Sequence, residues 1–391
     1  MTTKELIAAN QQYMMQAYHG QFPVAIARGE GARYWDYEGK QYLDFTAGIA
    51  VNALGACDPR WVQAICNQAQ TLGHVSNLYY TAPCVEVAKR LVTRTGMTNV
   101  FFGNSGAEAN EGLLKMARKY SFDHYGKGRS KVITLRQSFH GRTMTTLTAT
   151  GQDVFHNYFF PFAEGFDYVP ANDFDALCAA ATDDTCAILM EMVQGEGGVI
   201  VLDRDYVQQV AKLCRDRDIL LLVDEVQTGV GRTGTLFAFQ QYDILPDGVS
   251  FAKGIAGGLP MGGFLAGEKT AHTMDGQHGS TFGGNPICCA AATAVLDAVD
   301  DDLLADVAAK GAYLKEQIAK LPGLEDVRGL GMLLGATVVG QTAGDLATKL
   351  TEQGLLVLTA QQNTLRFAPP LTITRAELDE GIAILQNTLR A

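Results

Sequence analysis

A mostly parallel α/β sheet is the fold class this 391-residue chain predicts, on three observations. From Asn99 onward, short apolar runs alternate with stretches of helical periodicity, the pattern of strands joined by covering helices. The runs are unbroken rather than alternating, as in strands buried on both faces. Asn104, Ser105, His140, Asp224 and Lys253 each follow a run, beyond the carboxyl ends of strands where such sheets bind ligands.

In chain order the runs are Val100 to Gly103, Lys131 to Leu135, Ala187 to Glu191, Ile219 to Val223, Ser250 to Ala252 and Gly263 to Ala266. After the first, Ser105 and Glu108 stand at capping-box spacing before a helix with an apolar face of Ala109, Leu113, Met116, Ala117 and Tyr120. The same turn also suits a phosphate, because free amides and the positive helix end attract an anion and Gly106 permits close approach. Both readings stand at this point.

Beyond the last run the character changes. Pro286, a favoured first helical residue, opens a helix carrying Ile287, Ala290, Ala291, Ala294, Val295 and Ala298. A second helix, short strands near Val327 to Thr337 and Thr364 to Phe367, and a final helix opened by the Thr374 to Glu377 capping box follow. The expected division is a large domain over 56–282 and a smaller α+β domain made from both chain ends, 1–55 and 283–391. No internal repeat is visible.

Composition narrows the function. With 31 basic residues and a net charge of −11, nucleic acid is not an expected partner. The first twenty residues lack a continuous apolar stretch and no segment approaches spanning length, so a soluble, cytoplasmic protein without membrane contact is expected. The eight cysteines have no C-x-x-C spacing and read as free, mostly core thiols, with no metal site.

Asp224 and Lys253 carry the most information. Each ends an apolar run, where a lone charge is costly and requires a partner. A surface lysine and a helix-capping aspartate are the bland alternatives. One molecule accounts for both: pyridoxal 5′-phosphate, whose aldehyde condenses with a lysine and whose ring nitrogen is kept protonated by an acid. Gly229, Gly231 and Gly234 form a rival dinucleotide-type G-x-G-x-x-G. It fails on context, since Asp224 to Thr228 separate it from its strand and no helical stripe follows.

Taken together, these residues resemble the class III pyridoxal-phosphate aminotransferases, in the acetylornithine and ornithine aminotransferase branch. The resemblance runs from Phe22, Pro23 and Val24 through Tyr42 to Gly55, His74 to Tyr80 and Asn104 to Asn110. It continues through Phe139 to Thr143, Gln194 to Gly198, Leu222 to Gly234, Lys253, Thr281 to Pro286 and Arg366 to Pro370. It implies fold type I and a homodimer.

It also implies roles. Lys253 attaches the cofactor, Asp224 pairs with its ring nitrogen and Gln227 approaches the ring hydroxyl. Phe139 and Val226 sandwich the ring, and Ser105, Gly106 and Ala107 hold the phosphate, with Thr281 reaching in from the partner subunit. Arg142 and Arg366 receive substrate carboxylates, Ser280 adds a substrate contact, and Glu196 pairs with Arg366 for the amine donor and swings away for glutamate. The implied reaction moves the terminal amine of N2-acetylornithine to 2-oxoglutarate, in arginine synthesis.

Departures leave the donor open. Ala56 and Asp58 stand where relatives carry histidines, Met192 replaces a proline, and His19, beside Tyr18, occupies a usually aromatic position that helps read the substrate carboxylate. Ornithine, succinylornithine, succinyldiaminopimelate and 4-aminobutyrate are alternative donors. An aminomutase or racemase, and a non-enzymatic binding protein on the same fold, are the more distant alternatives.

Overall fold

The computed structural model describes residues 2–18 and 20–390; His19 lies outside them. Seven strands form the central sheet, in the spatial order Asn99–Gly103, Gly262–Ala266, Gly248–Phe251, Leu220–Asp224, Thr185–Met190, Lys131–Leu135 and Phe166–Val169. Every residue of the four strands between Gly262 and Met190 in that order is buried. This explains their unbroken apolar runs.

Gly262–Ala266 runs antiparallel to both neighbours, whereas the remaining pairs are parallel. The reason is the link before it. Only residues 252–261 separate it from Gly248–Phe251, fewer than a parallel crossover requires. The strand Phe166–Val169 escapes sequence reading because it lies at the edge, half-exposed, and carries Asp167, which pairs with Lys131 at 3.2 Å.

Gly229, Gly231 and Gly234 sit in successive turns and bends with no helix opening from them, so they turn the chain after the Asp224 strand. The helix Gly106–Tyr125 packs across the Gly262–Ala266 and Gly248–Phe251 strands, which aims its first turn at the carboxyl ends of the parallel strands. The Pro286–Ala298 helix is capped by Asn285 and packs on the helices Pro59–Thr71 and Ala82–Thr95 and on the short turn beginning at Lys253.

The two chain ends meet. Ile26–Glu30, Arg33–Asp36 and Gln41–Asp44 form a sheet that Leu355–Leu356 joins in parallel, and the Leu371 amide donates to the Ala53 carbonyl at 2.8 Å. A second four-stranded sheet is antiparallel, in the order Leu324–Leu330, Leu333–Val338, Thr364–Phe367, Leu358–Ala360. The final helix, Arg375–Arg390, begins at the expected reciprocal cap: the Thr374 amide donates to Glu377 Oε2 at 2.8 Å and the Glu377 amide to Thr374 Oγ1 at 3.2 Å.

All eight cysteines are free. Cys186, Cys214 and Cys289 are buried, Cys84, Cys178 and Cys288 half-buried, and Cys57 and Cys66 exposed, so fewer than half are the core thiols expected. No helix among the described residues is long and apolar enough to cross a membrane.

Candidate active site

A cavity of about 430 Å³ opens at the carboxyl ends of the parallel strands. Ser105, Gly106, Ala107, Phe139, Arg142, Glu196, Asp224, Val226, Gln227 and Lys253 line it, although up to 148 positions of sequence (253 minus 105) separate them. Ser280 and Thr281 do not. Ser280 Oγ accepts at 3.3 Å from Nδ2 of Asn104, which does line the cavity, and exposed Thr281 lines a separate hollow with His74 and Tyr79.

Asp224 ends its strand 3 % exposed, and four protein donors fix its carboxylate. The Val226 amide and the Ser250 hydroxyl donate to Oδ1 at 2.9 and 3.3 Å. Asn110 Nδ2 donates to Oδ2 at 2.7 Å, and His140 Nδ1 lies 2.8 Å from the same oxygen. An acceptor there places the imidazole proton on Nδ1. This leaves His140 Nε2 buried with no partner among the described residues.

Lys253 follows its strand by two residues, with a left-handed φ of 44° that costs free energy in any non-glycine residue. Burial pushes its amine below the ordinary lysine value; Glu196 acts against that and Arg366 with it. Glu191, also in the cavity wall, is pushed well above the carboxylate range by burial and then by the Asp224 charge, while accepting from the Phe139 amide at 3.0 Å.

The helix start serves both of its sequence readings. Ser105 Oγ accepts from the Glu108 amide at 3.1 Å, and Glu108 Oε2 accepts from the Asn104 amide at 2.7 Å. The amides of Gly106 and Ala107, in the first turn, have no intrahelical acceptor and border the cavity. A Cβ on Gly106 would sit 2.7 Å from Val226 Cγ1, so glycine is what lets the valine approach this turn.

Arg366 lies behind the wall, 3 % exposed, with Nη1 donating to Glu196 Oε1 at 2.7 Å and to Gln227 Oε1 at 3.1 Å. Burial opposes ionisation of Glu196, but Arg366 and Lys253 together override it and hold the carboxyl below its usual range. Arg366 Nε is buried with no partner among the described residues. Arg142 is exposed at the mouth, its guanidinium 5.5 Å from the Phe139 ring centroid and 4.2 Å from that of Phe155.

Sequence reasoning assigned no role to Asn110, Glu191 or Ser250. Glu191 carried the same signal as Asp224, a carboxylate closing an apolar run. Asn110 is 1 % exposed beside the apolar face of its helix, a buried amide that only the fold reveals as a donor to Asp224.

The Aminotransferase class-III family profile matches residues 14–389. The chain is 49% identical to an acetylornithine aminotransferase of Haemophilus ducreyi, over 100% of this chain and 99% of that one. It is 44% identical to an acetylornithine aminotransferase of Methanocaldococcus jannaschii, over 99% and 98%. Among solved structures, an N-acetylornithine aminotransferase from Stenotrophomonas maltophilia superposes with a TM-score of 0.85 at 37% identity, covering 98% of both chains. An ornithine aminotransferase from Toxoplasma gondii, described with partial occupancy of PLP at its active site, has a TM-score of 0.94 at 32% identity, covering 99% and 94%. With this match extending over nearly its whole length, the chain belongs to the class-III aminotransferases.

Proposed function

We propose that this enzyme uses pyridoxal 5′-phosphate to move the terminal amine of N2-acetylornithine to 2-oxoglutarate, giving N-acetylglutamate 5-semialdehyde and glutamate for arginine synthesis. The observation that carries the chemistry is the cavity that joins Lys253, the Asp224 carboxylate, the free helix start and the Arg366 to Glu196 pair. The donor rests on the named relatives, at 49% and 44% identity.

The residues fit the cofactor. The glycine at position 106 lets Val226 close on a helix start whose first amides border the cavity, and His140 Nε2 and Arg366 Nε have no partner among the described residues. Ser105, Gly106 and Ala107 would hold the phosphate, Phe139 and Val226 the ring faces, Gln227 the ring hydroxyl and Asp224 the ring nitrogen. When bound, the protonated ring withdraws the electron pair left when a proton departs from the carbon bearing the amine. Lys253 Nζ, depressed by burial, takes that proton and returns it later. Arg142 and Arg366 receive carboxylates, and Glu196 balances Arg366 until glutamate displaces it.

Thr281, outside the cavity of one chain, is read as a contribution to a partner's site in a homodimer, and Ser280, bonded to the cavity-lining Asn104, as a substrate contact. The division into a large domain and a small one made from both ends is read from the same sheets. A panel of amines with 2-oxoglutarate, assayed for glutamate, tests the donor. Acetylornithine leads on this reading; ornithine or 4-aminobutyrate far exceeding it would overturn the assignment. The cofactor reading predicts a visible absorbance band that Lys253→Ala abolishes.

A further inference from the structure

Three residues line up across the second sheet. Arg328 pairs with Gly335, and Gly335 pairs with Arg366, so the two arginines flank a glycine on one row of one face. The loop carrying Glu196 lies directly on that row. A Cβ on Gly335 would sit 2.8 Å from Val199 Cγ2, so only glycine admits the loop this closely.

Arg328 holds the loop by its backbone. Its Nε donates to the Gly198 carbonyl at 2.8 Å, and the rest of the guanidinium is spent on the sheet: Nη2 to Thr364 Oγ1 at 2.7 Å, Nη1 to Thr337 Oγ1 at 3.0 Å and to the Asp326 carbonyl and carboxylate at 2.9 and 2.8 Å. The Gln361 amide adds a donor to the Glu196 carbonyl at 3.2 Å. One arginine of the row thus grips the backbone two residues after Glu196, while the other grips its side chain.

We propose that Arg328 is a positioning residue for specificity: it fixes the backbone of the Glu196 loop, so that the exchange between amine donor and glutamate is made by the Glu196 side chain alone. This rests on the reading of Glu196 as the partner of Arg366 during the donor reaction. A loosened loop leaves Arg366 less well balanced when the amine donor is bound. It leaves the glutamate reaction, in which Glu196 has already moved away, nearly untouched.

The test uses the holoenzyme in single-turnover half-reactions, with acetylornithine or L-glutamate alone, following the cofactor absorbance. Arg328→Gln is expected to lower the second-order constant for acetylornithine about tenfold, the scale of one charge-assisted hydrogen bond, and that for glutamate less than about threefold. Arg328→Lys is expected to recover part of the difference. Equal losses in both half-reactions, or none in either, would overturn the proposal. Where Arg328→Gln does not fold, Thr364→Val removes one sheet anchor of the guanidinium; a smaller shift of the same sign supports the proposal, and an unchanged ratio overturns it. Glu196→Ala separates the two readings. If that variant leaves both half-reactions unchanged, the gate itself is wrong. If it shifts their ratio while Arg328→Gln does not, or if Arg328→Gln shifts the ratio further in its background, only the positioning role fails.

Discussion

Arg366 Nη1 donates to Glu196 Oε1 at 2.7 Å, which neutralises a buried guanidinium with a carboxylate that lines the substrate cavity. On the proposed reading, this pair is what lets one site take an amine donor and glutamate in turn. Arg366 is 3 % exposed, so an unpartnered charge there is costly, whereas the Glu196 side chain is 31% exposed and has room to leave.

Removing the carboxylate therefore affects the two substrates unequally. Glu196→Ala is expected to reduce kcat/KM for acetylornithine about a hundredfold, because truncating one partner of a buried charge pair costs about 2–5 kcal/mol. In the proposed exchange glutamate brings its own carboxylate to Arg366, so its constant should change less than about threefold. Steady-state kinetics with each substrate varied in turn distinguish the two effects.

The turn proposed to hold the phosphate yields a steric prediction. Gly106→Ala places a methyl 2.7 Å from Val226 Cγ1, and valine has little rotamer freedom with which to yield. Cofactor affinity should fall at least about tenfold, a change of about 1.4 kcal/mol, measured by equilibrium titration of the apoenzyme. Val226→Ala in the same chain should recover part of the loss. Independent, additive losses would show that the two side chains do not meet.

Glu225 supplies a pH signature. It is buried beside Asp224, and burial pushes its carboxyl up to about 7, although Thr228 and the Phe239 amide donate to it. Its folded value lies above its unfolded one, so its stabilising contribution is complete below pH of about 4.5 and is lost as pH rises through about 7. The span corresponds to about 3 kcal/mol. Urea unfolding across pH 4.5 to 8.5 should show Glu225→Gln gaining roughly that much relative to the parent, and a constant difference would contradict the sign.

Much of this site was legible because its chemistry sits where hydrophobic runs stop. Asp224 and Lys253 each close or follow a strand whose residues are buried, and the contrast with their flanks exposed them. Gly106 was legible as a helix-start glycine. Local pattern does not reveal what supports those groups. Asn110 reaches Asp224 across 114 positions and Arg328 reaches Gly198 across 130, contacts fixed only by tertiary packing. The antiparallel turn of Gly262–Ala266 was hidden for a different reason: apolar content reports burial, whereas direction depends on the length of the connection. Thr281 lies outside the cavity of a single chain, so its assigned place depends on an assembly no strand pattern encodes.

Asn110 offers the sharpest test of how Asp224 is held. Its Nδ2 donates to Asp224 Oδ2 at 2.7 Å and to the His140 carbonyl at 2.8 Å, so it orients the carboxylate and the backbone of the residue that also faces it. Asn110→Asp keeps the shape but replaces the donor with a second acid at the same oxygen. Two carboxylates at that distance do not both ionise, so one of the new pair keeps its proton at neutral pH. A shared proton weakens the acceptor that Asp224 presents to the cavity, and loss of one preorganised electrostatic contact typically costs about 10²–10³ in kcat. Asn110→Ala removes the donor without adding a charge and should lose less, about tenfold, for one hydrogen bond to a charged group. The pH profile of kcat separates the two. Asn110→Asp should acquire a new ionisation absent from the parent and from Asn110→Ala; matching profiles for all three would show that Asp224 does not depend on this amide.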